Sequence, residues 1–153
     1  MEKIADINDA KLGMLNGRDC IYIDTVTLDG YDSLTFSGEI NGRLASKLRA
    51  DKWIPYTLVF KRVISYFACE LDTYENLCGM GYPDHSDFMV IEKSERLEKF
   101  PIRGDFDRSI YKHFRVFTYD VVFDVFAVDY ELNADLDNTK DLSAGSLGIP
   151  TEI

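Results

Sequence analysis

Residues 116–132, VFTYDVVFDVFAVDYEL, form a long apolar stretch whose apolar residues change sides partway along. Read as a strand, Phe117, Tyr119, Val121, Phe123, Val125 and Ala127 share one face, which then ends in Asp129 and Glu131. The other face begins Thr118, Asp120, Val122, Asp124 and becomes Phe126, Val128, Tyr130, Leu132. Successive side chains on a strand point to opposite faces, so a one-residue slip carries the whole apolar set across. A bulge or turn near residues 124–127 is therefore predicted. A helix would gather Asp120, Asp124, Ala127 and Glu131 on one side. The valines and phenylalanines of residues 121–128 favour strands instead.

Much of the remaining chain has the same character. CIYIDTVTL (20–28) and SLTFSGEI (33–40) are strand-like and flank Asp29-Gly30, with Asn41-Gly42 behind them, which is the pattern of an antiparallel meander. YTLVFKRVISYFACEL (56–71) is a further strand run in which Tyr56, Leu58, Phe60, Ile64 and Tyr66 share a face that is apolar save for Arg62 and should face a core. FMVIE (88–92) and IYKHFRVFTY (110–119) complete the set. Helical expectations are few. They are a short helix or irregular arm at the N-terminus, an amphipathic helix over RLASKLRADKW (43–53), and one or two turns over KSERLEKF (93–100). The glycines, proline and acids of DTYENLCGMGYPDHSD (72–87) predict a loop. The fold expected is mainly β, an antiparallel sheet curved into a sandwich or partial barrel with one or two short helices. Residues 1–132 should form a single domain, and the polar residues 133–153 a tail that is surface-laid or disordered.

The chain of 153 residues can hold a core without disulfide or metal staples. Its formal charge of −10 is uneven, because residues 120–153 contain eight acids and one lysine. Such a chain is repelled by phosphates, which argues against direct nucleic-acid binding, while an acidic face can steer toward a basic protein. Cys20, Cys69 and Cys78 have neither zinc spacing nor an even count, which fits reduced thiols. With no apolar segment of signal or membrane length, a cytoplasmic protein away from the membrane is expected.

Chemical signatures are weak. Asp120 and Asp124 would stand roughly 13 Å apart on a strand, too far to share a proton or cation. The four acids of the opening stretch are therefore read as solvent-facing residues that discourage wrong pairing. DLDNTKD (135–141) resembles a calcium loop, but Lys140 replaces the required glycine and Ser146 the bidentate glutamate. Gly79-Met80-Gly81 lacks the lysine and following helix of a phosphate loop. An enzyme would have to draw on Cys78, His85 and His113, a hydrolase built on the 78–87 loop. No catalytic residue, metal or cofactor is expected otherwise.

Binding is the better expectation. Asp124, Asp129 and Glu131 would steer a basic partner, while Arg43 and Lys47 beside Trp53 form a positive island of hot-spot composition. In size and composition the chain is similar to bacterial immunity proteins and phage inhibitors, which implies occlusion of a partner without chemistry of its own. An aromatic-lined cavity ringed by Tyr66, Phe67, Phe117 and Phe126 would instead define a small-molecule binder. An open aromatic edge strand would pair with a second copy as a homo-oligomer.

Overall fold

A computed structural model describes residues 2–30, 32–78 and 86–142. Among the described residues, ten strands form two antiparallel sheets. The first sheet is ordered β1 (Lys3–Asp6), β6 (Phe88–Glu92), β7 (Lys112–Phe117), β8 (Val121–Ala127), β5 (Ser65–Glu70). In the second, β2 (Ile21–Leu28), β3 (Leu34–Asn41) and β4 (Lys52–Lys61) are consecutive. The far edge of β4 is shared by β9 (Asp129–Ala134) and the two-residue β10 (Lys140–Asp141). Helices α1 (Leu71–Cys78) and α2 (Glu95–Lys99) complete the described elements, with short 3-10 turns at Gly42–Leu44 and Arg108–Ile110. The mainly β, sandwich-like architecture is the one expected.

The sheets meet through an aromatic core. Phe36 packs on Phe60 and Phe123, and Phe60 on Phe88 and Phe114. Each such ring pair contributes about 0.5–1.5 kcal/mol beyond its buried area. Tyr56, Leu58 and Phe60 face this core, as the alternation predicts. A second, smaller core lies on the opposite face of the first sheet, where Leu71 and Tyr74 of α1 cover Met89, Ile91, Phe117 and Val122. The first sheet is thus buried on both sides, and this decides the fate of β8.

The run 116–132 is broken differently from the prediction. A hairpin turn at 118–120 separates β7 from β8, with Thr118 N–H donating to the Val121 carbonyl at 2.9 Å. The chain then leaves the first sheet at Val128 and continues as β9 in the second. A strand that passes to the facing layer must present its other side to the core, which is the switch legible in the sequence. The run 56–71 breaks in the same way at residues 62–64. There the two crossings lie side by side, Val128 N–H donating to Lys61 O at 3.0 Å and Ile64 N–H to Phe126 O at 2.9 Å. β4–β5 and β8–β9 are therefore one bent antiparallel ribbon, each half in its own sheet. Its register slips by one residue at the bend, from Lys61 opposite Asp129 to Ser65 opposite Phe126.

Pro55 sits inside β4 rather than ahead of it. Its carbonyl accepts from Asp135 N–H at 2.8 Å, and a strand residue's N and C=O point to the same side. The missing donor therefore falls in the gap between β9 and β10, where it costs no ladder bond.

Two local expectations are corrected, and a third is narrowed to one of its alternatives. Residues 43–53 form no amphipathic helix: a 3-10 turn ends at Leu44, Arg49 takes φ +50, and Lys52 and Trp53 already belong to β4. The 72–87 segment is not all loop, because α1 occupies its first half. The Glu70 carboxylate caps that helix by accepting from the N–H groups of Asp72 and Thr73. At the N-terminus, residues 3–6 pair with β6, and residues 7–20 follow the irregular course that was the alternative to a helix, with isolated bridges Asp9–Gly13 and Leu15–Ala45. Past β9, Asp135 N–H and the pairing of β10 hold residues 135–141 along β4, while 143–153 lie outside the described residues.

Gly38 of β3 stands between Ile23 and Tyr56, beside a bulge at Asp24. The Tyr56 hydroxyl reaches over to β2 and donates to Tyr22 O at 3.1 Å. A Cβ at position 38 would strike that same carbonyl oxygen and approach Ile23 Cα to 2.9 Å. Gly38→Ala is expected to cost about 1–3 kcal/mol through overpacking, read as a lower urea midpoint at unchanged slope.

Candidate functional site

The first site to test is the one the sequence places in solvent. Asp124 is buried, at 2% exposure. The hairpin turn sets it opposite Arg115, and the edge strand sets it beside Phe67. α1 and α2 then close over that face. Its Oδ1 accepts from His113 Nε2 at 2.6 Å and Arg115 Nε at 2.8 Å; its Oδ2 accepts from the Tyr74 hydroxyl at 3.1 Å and Arg96 Nη1 at 3.2 Å. With Nε2–H donated to Asp124, His113 Nδ1 is left to accept the Ser94 hydroxyl, 2.7 Å away. Burial alone would raise the Asp124 carboxyl, but the His113 bond and the Arg115 guanidinium hold it well below the usual carboxylate range.

Ser94, His113 and Asp124 are thus linked in the order of an acyl-transfer triad. A groove of about 410 Å³ passes Ser94 and His113. The rest of the geometry opposes catalysis. The Ser94 oxygen already accepts from Leu97 N–H at 3.1 Å as the cap of α2. The N–H of Glu95, which could stabilise an oxyanion, is taken by the Glu2 carboxylate at 2.8 Å. Two guanidiniums share the Asp124 charge, and the His113 side chain is fully enclosed. The cluster works as a staple that ties α1, α2, β7 and β8 together. Of the expected trio of Cys78, His85 and His113, only the His113 side chain is described, and both of its ring nitrogens are engaged. His85 and the Cys78 side chain lie outside the described residues. Burial, then Asp87, pushes the Cys20 thiol up, and Cys69 packs in the smaller core.

Sequence reasoning missed Ser94, Arg96, Arg115 and Tyr74. Ser94 has a local signal, a capping serine ahead of a short helical pattern. Arg115 becomes legible only once the hairpin turn is centred on 119–120, because pairs lie equidistant from it.

The other candidate is the outer face of the second sheet, over which no described helix lies. Tyr22, Trp53 and Tyr119 cluster at one end of it, with Trp53 edge-on to Tyr22 at 5.2 Å and Tyr119 stacked on Tyr22 at 5.0 Å. Trp53 is buried, and its indole N–H has no acceptor among the described residues. Carboxylates surround the cluster. Burial first, then Asp19, Tyr119 and Asp120, pushes the Tyr22 hydroxyl up to about 12. Glu39, opposite Tyr22, is raised by burial and then by Asp24, with Lys140 opposing. Asp129 and Glu131 are exposed on the same face, Glu131 paired with Lys61 at 3.0 Å. Arg43 and Lys47 are exposed but engaged, Arg43 with Asp51 at 2.8 Å and Lys47 with the Ala10 carbonyl at 3.2 Å. The cavity expected from Tyr66, Phe67, Phe117 and Phe126 is not formed: Phe117 and Phe126 are packed shut, and Tyr66 and Phe67 lie exposed on the edge strand β5.

No family model, curated protein or solved structure matches the chain. Among the described residues no helix is long and apolar enough to cross a membrane, and no group of three or more His, Cys, Asp or Glu could hold a metal. The class the structure defines is a two-sheet antiparallel sandwich with a thin helical layer on one side and an acidic, aromatic sheet face on the other.

Breaking the buried carboxylate's contacts strands Arg115, whose side chain is 11% exposed, while the half-exposed Arg96 can turn to water. Asp124→Ala is expected to cost about 3–5 kcal/mol in chemical denaturation. The same group makes stability pH-dependent. Its contribution is complete above the ordinary carboxylate range and is lost as pH falls through the lower, folded-state value. Acid titration of the wild type should therefore show a loss of stability that Asp124→Asn lacks.

Proposed function

We propose that the chain is a non-enzymatic binding protein, of immunity or inhibitor type, that meets a basic protein partner with the outer face of its second sheet. The observation behind this reading is the Asp24–Glu39 neighbourhood. Glu39 stands opposite Tyr22 on that face, where burial and then the Asp24 charge raise its carboxyl, next to the Tyr22–Trp53–Tyr119 cluster. Folding gains nothing from that repulsion, whereas a cationic partner would relieve it. Aromatic residues ringed by charge are also the composition of interface hot spots.

Magnitudes shape the interface. Four strands wide and about 26 Å long, the face offers roughly 500 Å². A stable complex buries about 800 Å² on each partner. The β9–β10 margin, with Asp135, Asp137 and Asp141 exposed, is contiguous with this face and supplies the remainder. The surplus negative charge speeds encounter with a basic surface and keeps phosphate backbones away. Occlusion of the partner's own working surface then needs no chemistry from this chain.

The test is capture of partners from native lysate at low salt, followed by kinetic measurement with the partner so identified. Charge reversal at Asp24 and Glu39 together, or at Asp129 and Glu131 together, is expected to slow association by about tenfold or more, the difference shrinking as salt rises. Association unchanged by both double reversals would show that this face does not steer binding.

A further inference from the structure

A groove of about 440 Å³ opens where the β4–β5 corner meets the segment between α2 and β7. One wall is aromatic, made of Phe100, Phe106 and Tyr111, with Phe106 and Tyr111 stacked at 6.3 Å. Phe106 remains 38% exposed although it belongs to this wall. Three charged side chains also line the groove: Arg62, Arg103 and Asp32.

Their engagements differ. Arg103 is committed to Asp105 through Nε at 3.0 Å and Nη2 at 2.7 Å, and its guanidinium lies over the Phe106 ring at 4.7 Å. Arg62 forms no ion pair among the described residues, and neither does Asp32. The two line one groove without being joined to each other. Arg62 also holds φ +58 at the corner, a left-handed backbone that glycine or asparagine would adopt at less steric cost. The corner needs that backbone, but it does not need a guanidinium.

We propose that this groove binds a small aromatic zwitterion, with its carboxylate on Arg62, its ammonium on Asp32 and its ring against the Phe106–Tyr111 wall. A purely anionic ligand would meet Asp32, and a purely cationic one would meet Arg62; a dipolar head satisfies both. The volume suits a single-ring molecule, at the lower end of ordinary ligand sites. Specificity would come from the charged pair and affinity from the rings. The proposal stands apart from the partner-binding reading and needs no residue of the outer sheet face.

Isothermal titration of the full chain with L-phenylalanine tests it, against three probes that each lack one element. Phenethylamine lacks the carboxylate, 3-phenylpropanoate the ammonium, and glycine the ring. L-phenylalanine is expected to bind at millimolar concentration or below, and each of the others about tenfold more weakly or worse. Arg62→Asn tolerates the left-handed backbone while removing the charge. It should erase the preference over phenethylamine with the thermal midpoint unmoved. Asp32→Asn should erase the preference over 3-phenylpropanoate, and provides a second reading if the first variant folds poorly. Absence of L-phenylalanine binding at millimolar concentration, binding no tighter than that of the three probes, or preferences intact in both variants would each overturn the proposal.

Discussion

The bent ribbon of β4–β5 against β8–β9 is the constraint on which the rest of the structure depends. Both strands of the ribbon change sheets at the same place, so neither layer can form without fixing its distance from the other. The bonds Val128 N–H to Lys61 O and Ile64 N–H to Phe126 O close the bend, and the one-residue slip between them lets the apolar sides turn over together. The remaining strands are added outward from this spine: β3 and β2 beside β4, β7 and β6 beside β8. The Arg62 conformation belongs to the same bend, so the proposed ligand groove is a by-product of how the ribbon crosses.

Burying the first sheet on both sides creates a problem that the sequence solves with charge. The helices over its outer face are short, eight and five residues, and bring few apolar side chains. Asp124 answers by drawing one hydroxyl, one imidazole and two guanidiniums from three elements, α1, α2 and β7, to a single point on β8. Buried ion clusters are weak sources of net stability, since desolvation offsets most of the attraction. Their effect here is on placement: α1 through Tyr74 and α2 through Ser94 and Arg96 can dock in one position only. The Ser94–His113–Asp124 chain therefore has the connectivity of a catalytic relay and the engagement of a structural one.

The fold class was legible because its signals are local. Turn dipeptides and alternation locate β2, β3 and the core side of β4 correctly, and they reveal the reversal within 116–132. What was not legible depends on a third layer. Asp124 sits on the face that alternation marks as outward, and outward means solvent only when nothing covers the sheet. Nothing in residues 71–78 announces the helix that does so, since its cap is the side chain of Glu70 and the glycines and proline beyond it suggest a loop. The basic island was likewise misread, because Leu44 and Leu48 mimic helical spacing in a segment that turns back on itself around Ala45. Asp129 and Glu131 were placed correctly because no described element covers the outer face of the second sheet.

This asymmetry bears on function. A sandwich needs polar residues on an uncovered face, and threonine or paired charges meet that need; Thr25, Thr27 and Thr57 do so here, as do Lys61 and Glu131. Glu39 does not fit that requirement, because burial and then the Asp24 charge work against its ionisation. Nor does Trp53, whose indole N–H is enclosed without an acceptor among the described residues, at a net cost that a surface threonine would avoid. Costs of this kind persist where something other than folding selects them. They coincide on one face of one sheet, and the same face has the aromatic rings that a cationic side chain stacks upon. The structural staple and this face therefore lie on opposite sides of the sandwich, so the surface proposed to meet a partner can vary without loosening the layer that fixes the helices.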